Sequence, residues 1–435
     1  FGLWGIMSFM LQGGLSCAIL KKYINRLSII FVACPFFVYS TGVIFRMYGH
    51  TALAGHWIIL LAFYICVYKE KFKSLKSRIA VWSALTALCV MVHAYFIVMI
   101  GIIMVGFLIN DFIDYKKTYR VLLIFFSAVI TTLGVFWLIG GFSSSSKISE
   151  SGLGAYSMNI NSIFNSMGLG KILAPKPVYT PEQAEGFQYL GFGFLLLLPI
   201  AGYYILSDLF DKEQRKKINF KNLIKCIPIA FVCLALTILA LSPKVTLNQR
   251  VIFDYTNCKF IMDKLAPFRA TGRLFWPVFY IIVLVVIIYI AKKANFKGFV
   301  SILLIFCLGV QLYDLSPLIS RHRTITSPNA ELTYESPLKS DFWEKANYKH
   351  LEFLSDDIAG YEPLAIYAAT NKMTMNNGNI ARKDFDLISK NIKNSIQNIR
   401  NSDIDSNTMY IVPADRNFLS SPLHDGDIVE LKIDG

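Results

Sequence analysis

The stretch Ile79–Ile109, IAVWSALTALCVMVHAYFIVMIGIIMVGFLI, decides how this chain folds. It runs for 31 residues without one Asp, Glu, Lys or Arg. A hydrocarbon core of about 30 Å takes roughly 20 apolar residues as a helix, so this run is too long for one straight pass. Its flanks, Lys69–Arg78 and Lys116–Arg120, are both basic. A single pass would strand one basic flank on the outer side. Two short passes with an outer turn at His93-Ala94-Tyr95 keep both inside, as the positive-inside preference demands.

The same reading extends outward. Apolar runs fall at Phe1–Leu20, Leu27–Phe45, Thr51–Tyr68, Tyr119–Gly141, Tyr189–Leu206, Leu223–Leu241, Leu274–Ala291 and Gly298–Asp314. With Ile79–Ile109 split, about ten passes are expected. Backbone polar groups find no water inside a bilayer, so such runs are helical. The expected fold is a membrane all-α polytopic helical bundle over residues 1–318, followed by a small soluble α/β domain over 319–435.

The net charge of +14 invites a nucleic-acid reading, but its distribution excludes one. The five loops assigned inside hold 20 Lys/Arg against 6 Asp/Glu, whereas the outer loops and tail hold 23 of each. The whole excess is therefore a topology signal. By parity, residue 1, the loops 142–188 and 242–273 and the tail all lie on the extracytoplasmic side of a bacterial inner membrane. The chain opens at Phe1 inside an apolar run with neither a basic leader nor a small-residue cleavage site, so a further N-terminal segment is expected upstream. Seven of the eight cysteines fall inside predicted spans, Cys258 being the exception, so no disulfide framework or metal-ligand spacing is present.

Within the outer loops, Ala155–Leu169 is apolar enough to lie on the membrane surface as a helix or to pack on the bundle. In the tail, the pattern predicts helices at Asp341–Leu354 and Lys383–Arg400, and strands at Pro363–Ala369, Thr408–Val412 and Asp427–Ile433. Asn376-Asn377-Gly378 suits a turn of left-handed backbone.

Three outer clusters carry candidate chemistry. Arg46-Met-Tyr-Gly-His50 leads to His56-Trp57, where the imidazoles either bind phosphate and shuttle protons or simply sit at headgroup level. His93 sits at the hairpin turn, where it either faces a cavity or caps the helix. Arg269 and Arg273, in Pro267-Phe-Arg-Ala-Thr-Gly-Arg-Leu-Phe-Trp-Pro277, lie four apart just before a span. Guanidinium binds phosphate oxygens bidentately and keeps its charge near lipid, and their outer placement opposes the positive-inside preference. Gly272 between them would let a headgroup approach the backbone. The outer acids are Glu150, Glu182, Glu185, Asp254, Asp263 and Asp314, with Asp254, Asp263 and Asp314 kept as candidates for a catalytic carboxylate.

Gly49–Trp57, His93–Phe96, Tyr189-Leu-Gly-Phe-Gly193, Phe268–Pro277 and Gln311–Pro317 together resemble an uncharacterised bacterial inner-membrane protein family of the GT-C-type glycosyltransferase superfamily. Asn376–Gly378 and Ala381-Arg382 extend the resemblance weakly into the tail. The resemblance implies a helical bundle that takes sugar from a polyprenyl-phosphate donor and transfers it to a cell-envelope glycan outside the cytoplasm. It implies a donor-phosphate role for Arg269 and Arg273 and a lining role for His50, His56 and His93. It also implies a principal catalytic acid in a first outer loop, upstream of residue 1. A divalent cation is a further possible requirement of such chemistry, with no ligand set for it in this sequence. The competing classes are a polysaccharide or lipid-linked oligosaccharide transporter or polymerase-like protein, and a non-catalytic envelope scaffold.

Overall fold

His93 breaks the long apolar run where the charge pattern requires it. In a computed structural model of the chain, its extended backbone (φ −168°, ψ 138°) separates the helices Leu75–Val92 and Ala94–Tyr115. Its Nδ1 accepts the Tyr95 N–H at 3.3 Å, so the ring caps the second helix. The structure describes residues 2–47, 49–142, 153–211, 220–294, 296–325, 335–356, 358, 360–379 and 385–412.

At the opposite end of this hairpin, the buried Asp111 carboxylate is ion-paired with Arg78 and, at 3.5 Å, with Arg120. Arg120 opens the next helix, Thr118–Leu138, so one acid ties three helices together at their basic ends. Two cations meet one buried anion here, and none of the three is left as a bare charge in a medium that cannot solvate it.

Among the described residues, eight helices are long and apolar enough to cross a membrane, and Thr51–Val67 and Gly298–Asp314 are shorter apolar ones. Thr271–Lys293 is the most enclosed, with 72% of its apolar window buried, whereas Thr118–Leu138 buries only 11%. The latter exposes Leu122, Phe126, Ile130, Leu133 and Trp137. A contiguous belt of that kind is unfavourable in water and suited to lipid, which fits a multi-pass membrane protein.

The second span is not continuous. It runs as Leu27–Ala33, Pro35–Val38 and Thr41–Arg46, because Pro35 lacks an N–H and Ser40 takes an extended backbone. Neighbouring side chains close the gap. Gln12 Nε2 donates to Phe37 O at 3.2 Å, Ser40 Oγ meets Tyr280 Oη at 2.8 Å, and Thr41 Oγ1 donates to Tyr189 O at 2.7 Å. These bonds replace what the break removes in a setting without water.

A second latch joins two motifs that the sequence presents far apart. Asp314, fully buried, accepts from Tyr189 Oη at 2.8 Å and from the Phe192, Ile172 and Lys171 N–H groups at 2.9, 2.9 and 3.1 Å. Gln311 Nε2 donates to Leu190 O, and its Oε1 accepts from Phe194 N, both at 3.0 Å. Gly191 (φ +82°) and Gly193 must be glycine here. A Cβ on either would come within 2.0 Å of Gln311 Nε2 or Cys307 O.

Ala155–Leu169 packs on the bundle instead of forming a surface helix. Only Ile160–Phe164 makes a 3-10 turn, and Asn159, Asn161, Ser162 and Asn165 are buried. The antiparallel hairpin β1 (Lys244–Leu247) and β2 (Arg250–Asp254) packs beside it.

The tail, from residue 335, forms its own compact unit. Strand β3 (His350–Phe353) lies between β4 (Thr374–Met375) and β5 (Thr408–Ile411), both parallel to it. Parallel neighbours need crossovers, and the helices Glu362–Thr370 and Phe385–Arg400 supply them. Three expectations are corrected. The helix expected over Asp341–Leu354 stops at Lys345, because His350–Phe353 alternates outward and inward as a strand. The strand expected at Pro363–Ala369 is a helix, since Glu362, an early Pro363 and three alanines favour a helical start and run. Asn376–Gly378 adopts no left-handed backbone. Asn376 instead extends the ladder, accepting from Phe353 N at 2.8 Å and donating to Phe353 O at 3.0 Å. The strand expected at Asp427–Ile433 and the pair Ala381-Arg382 lie outside the described residues.

The Asp111 cluster yields a direct expectation. Asp111→Ala leaves two arginines facing each other at the helix ends and lowers stability by roughly 3–5 kcal/mol. Thermal unfolding of the purified protein in mild detergent measures the loss, and an unchanged midpoint would contradict the assigned role.

Candidate functional site

Three chain segments meet at the end of the bundle that carries His93. The broken second span delivers Arg46 at its last turn, and the 3-10 turn Thr271–Phe275 delivers Arg273 at the head of the enclosed helix. The 3-10 turn Pro181–Gly186 carries Glu185. Arg46 Nη1 and Nη2 donate to Glu185 Oε1 and Oε2 at 3.1 and 2.5 Å. Arg273 Nε and Nη2 approach Oε2 at 2.7 and 2.5 Å. One carboxylate is thus held between two guanidiniums, and the side chains of Arg46, Arg273 and Glu185 are 5%, 11% and 19% exposed.

The turn bearing Glu185 is fixed by a dense polar network. Gln183 Nε2 donates to Thr246 Oγ1 at 2.8 Å on β1. Asn159 Nδ2 donates to Gln183 Oε1 at 3.0 Å and to Asn248 O at 2.8 Å. Gln188 Nε2 reaches Gly272 O at 2.9 Å. Gly272 has a different task from the one its sequence suggests. A Cβ there would lie 2.6 Å from Gly186 Cα, so the two glycines let the Arg273 and Glu185 turns touch. Its open face is filled by protein, and no headgroup reaches the backbone there.

Arg273 also lies over the Tyr95 ring at 4.8 Å, and Tyr95 Oη accepts the Ala270 N–H at 2.8 Å. Cation–π contact of this kind strengthens when the pair is shielded from water. Arg269 is exposed and stands 5.5 Å over Tyr156. The two arginines singled out in the sequence therefore differ: one is clamped, the other is presented.

Burial works against ionisation of Glu185, but Arg273 and Arg46 outweigh it and hold the carboxyl below its usual range. His50 is exposed, yet partial desolvation and then the charges of Arg273 and Arg46 push its imidazole below the usual histidine value. It is a neutral hydrogen-bonding group at neutral pH, not a third cation.

His56 does not join this group. It is buried against Trp276, with ring centroids 4.1 Å apart, and its Nδ1 meets Tyr280 Oη at 2.8 Å. A Cβ on Gly42 would sit 2.8 Å from its Cε1, so it fills a shaped slot within the core. His93 caps its helix and packs toward Tyr95, with centroids 5.4 Å apart. Asp314 is spent on four donors and is fully buried, which disqualifies it as a base. Asp254 is exposed. The Thr256 N–H, 2.9 Å away, is the main reason that its carboxyl sits below the usual range. Asp263 is exposed on the short helix Lys259–Leu265. Glu150 lies outside the described residues. Among the described residues no group of three or more His, Cys, Asp or Glu could hold a metal ion.

Glu185 and Arg46 are the functional candidates that sequence reasoning ranked too low. Glu185 was one of six outer acids, and nothing in Pro181-Glu-Gln-Ala-Glu-Gly186 distinguishes it from Glu182. Arg46 ends an apolar span on the side expected to be outside, against the positive-inside preference, and that is the available signal.

A family model described as Domain of unknown function (DUF6311) matches residues 1–316, and the chain belongs to that family. A second, described as the DUF6311 C-terminal domain, matches residues 342–432. No curated protein and no solved structure matches the chain.

The lowered pKa of Glu185 sets a sign. Its contribution to stability is present above the unfolded glutamate value of about 4.3 and is lost as pH falls through the lower folded value. Glu185→Gln removes it at all pH, at a cost of roughly 3 kcal/mol. Unfolding midpoints of both proteins, followed from neutral pH down through that range, should converge on acidification. Parallel curves would refute the linkage.

Proposed function

For this member of the DUF6311 family, we propose a membrane glycosyltransferase of GT-C type, with about ten passes in a bacterial inner membrane and an extracytoplasmic tail. It takes sugar from a polyprenyl-phosphate donor and delivers it to a cell-envelope glycan. The observation that carries this reading is the clamping of Glu185 between Arg46 and Arg273, where the bundle meets its ordered polar loops.

The charge arithmetic favours a phosphate. Two guanidiniums and one carboxylate leave the cluster with one positive charge, and exposed Arg269 lies four residues before Arg273 in the chain. A lipid-phosphate sugar is a phosphodiester with one negative charge, which the cluster matches. Transfer forms a bond from the acceptor oxygen to the sugar's anomeric carbon and breaks the bond from that carbon to phosphate. The leaving lipid phosphate gains a negative charge, and fixed guanidiniums stabilise that developing charge without reorganising. His50, neutral beforehand, is suited to donate a hydrogen bond to a phosphate oxygen. Glu185, held ionised by two arginines, is a counter-ion and not a base. As the acceptor oxygen bonds to the anomeric carbon it gives up its proton, and the leaving lipid phosphate, now a monoester, can take it.

A scaffold is the second reading, favoured by the completeness with which Glu185 occupies both guanidiniums. A transporter is disfavoured because the break in Leu27–Arg46 is closed by side-chain hydrogen bonds.

Incubation of membranes holding the full-length protein with labelled polyprenyl-phosphate sugars and envelope acceptors tests the proposal. Transfer should fall by roughly 10²–10³ in Arg273→Ala. Arg269→Ala should raise the donor KM more than it lowers kcat. Absence of transfer with every donor, or full activity in both variants, would favour the scaffold.

A further inference from the structure

The opposite end of the bundle contains a cavity of about 630 Å³ that plays no part in the reading above. Its depth is apolar, lined by Ile103, Phe107, Val232 and Leu284. Its polar end is formed where five helical segments begin or end. Tyr23 follows Gly2–Lys21, Lys69 follows Trp57–Val67, and Asn110 is near the end of Ala94–Tyr115. Lys225 lies near the start of Phe220–Leu241, and Lys292 near the end of Trp276–Lys293. All these ends belong to the loops that hold 20 Lys/Arg against 6 Asp/Glu.

The shape has local causes. Gly106 brings Ala94–Tyr115 against Phe220–Leu241, since a Cβ there would meet Val232 Cγ2 at 2.6 Å and Pro228 O at 3.2 Å. Pro228 sits inside its helix, where a proline removes one hydrogen bond and bends the axis. The helices touch at Gly106, and both Gly106 and Pro228 line the space. Ile229 and Val285 are cavity-lining residues 45% and 51% exposed, so the space communicates with the lipid-facing side of the bundle.

At the polar end the lysines are arranged around groups that orient ammonium. Lys69 Nζ donates to Asn110 Oδ1 at 3.0 Å and meets Asp114 at 2.5 Å, while Lys292 lies 5.2 Å over Tyr23. An apolar slot with side access and a cationic rim at interface depth is complementary to an amphiphile whose head is a phosphodiester. A neutral lipid would match the slot and waste the rim.

We propose that this cavity binds the acyl chain of an anionic phospholipid from the leaflet on the Lys/Arg-rich side, with its phosphate at Lys225 and Lys292, beside the Asp114-paired Lys69. The site is independent of the Arg46–Glu185–Arg273 cluster and of any activity there. A bound lipid would replace the packing that the Gly106–Pro228 crossing leaves open.

Native mass spectrometry of the full-length protein, released from nanodiscs of equimolar phosphatidylglycerol and phosphatidylcholine with identical chains, tests this. One phosphatidylglycerol should be retained in roughly tenfold preference, the scale expected of two or three interfacial lysines. Lys225→Glu with Lys292→Glu should abolish the preference, and Lys225→Arg with Lys292→Arg should keep it. Val285→Trp should lose bound lipid of either head. Equal retention of both lipids by the unaltered protein overturns the proposal, a result that needs no variant to fold. So does a preference that survives charge reversal, or lipid retained by Val285→Trp.

Discussion

A charge placed where water cannot reach must be met by protein, and this molecule meets that demand twice with the same device. Asp111 is shared by Arg78 and Arg120 at one end of the bundle, and Glu185 by Arg46 and Arg273 at the other. Each is a cation–anion–cation group drawn from three separate segments. Removing the acid leaves two like charges without a counter-ion, so the segments are held together by what its loss would cost. The two differ in access. The Asp111 side chain is 1% exposed and that of Glu185 is 19% exposed. The first group is sealed, whereas the second has the access that the proposed phosphate binding needs.

The rest of the ordered end exists to hold that second group still. The Asn159–Gln183–Thr246 network fixes the turn bearing Glu185, and the Gly186–Gly272 contact sets its distance from Arg273. Tyr95 supports Arg273 from the hairpin whose turn is His93. Farther round, Asp314 and Gln311 pin Tyr189–Phe194, which leads from the same loop into the next span. Motifs that look like candidate chemistry in the chain thus divide into a small charged group and the brackets around it.

Much of the fold was legible because membrane insertion writes in coarse variables. Apolar run length and the side on which Lys and Arg collect were enough to place the break at His93, which depends on no tertiary contact. The tail was read less well. Pro363–Ala369 is apolar in either secondary structure, and its helical start is decided by Glu362 and Pro363. His350–Phe353 becomes a strand because Thr374 and Thr408 flank it in space. At the site, Arg273 was visible as an arginine on the side expected to be outside, against the charge rule. Glu185 was not, because its importance comes from two partners 139 and 88 residues away. Asp314 and His56 looked reactive for the opposite reason: the sequence shows an ionisable side chain and hides the donors and rings that use it up.

The central claim is that the Arg46–Glu185–Arg273 group accepts a lipid phosphate. A cryo-electron microscopy map of the full-length protein in nanodiscs, with a non-transferable polyprenyl-phosphate sugar analogue added, addresses it without reliance on turnover. The account predicts phosphate density within hydrogen-bonding distance of Arg273, with Glu185 withdrawn from at least one guanidinium. Phosphate bound elsewhere, with Glu185 still bridging both arginines, would contradict it.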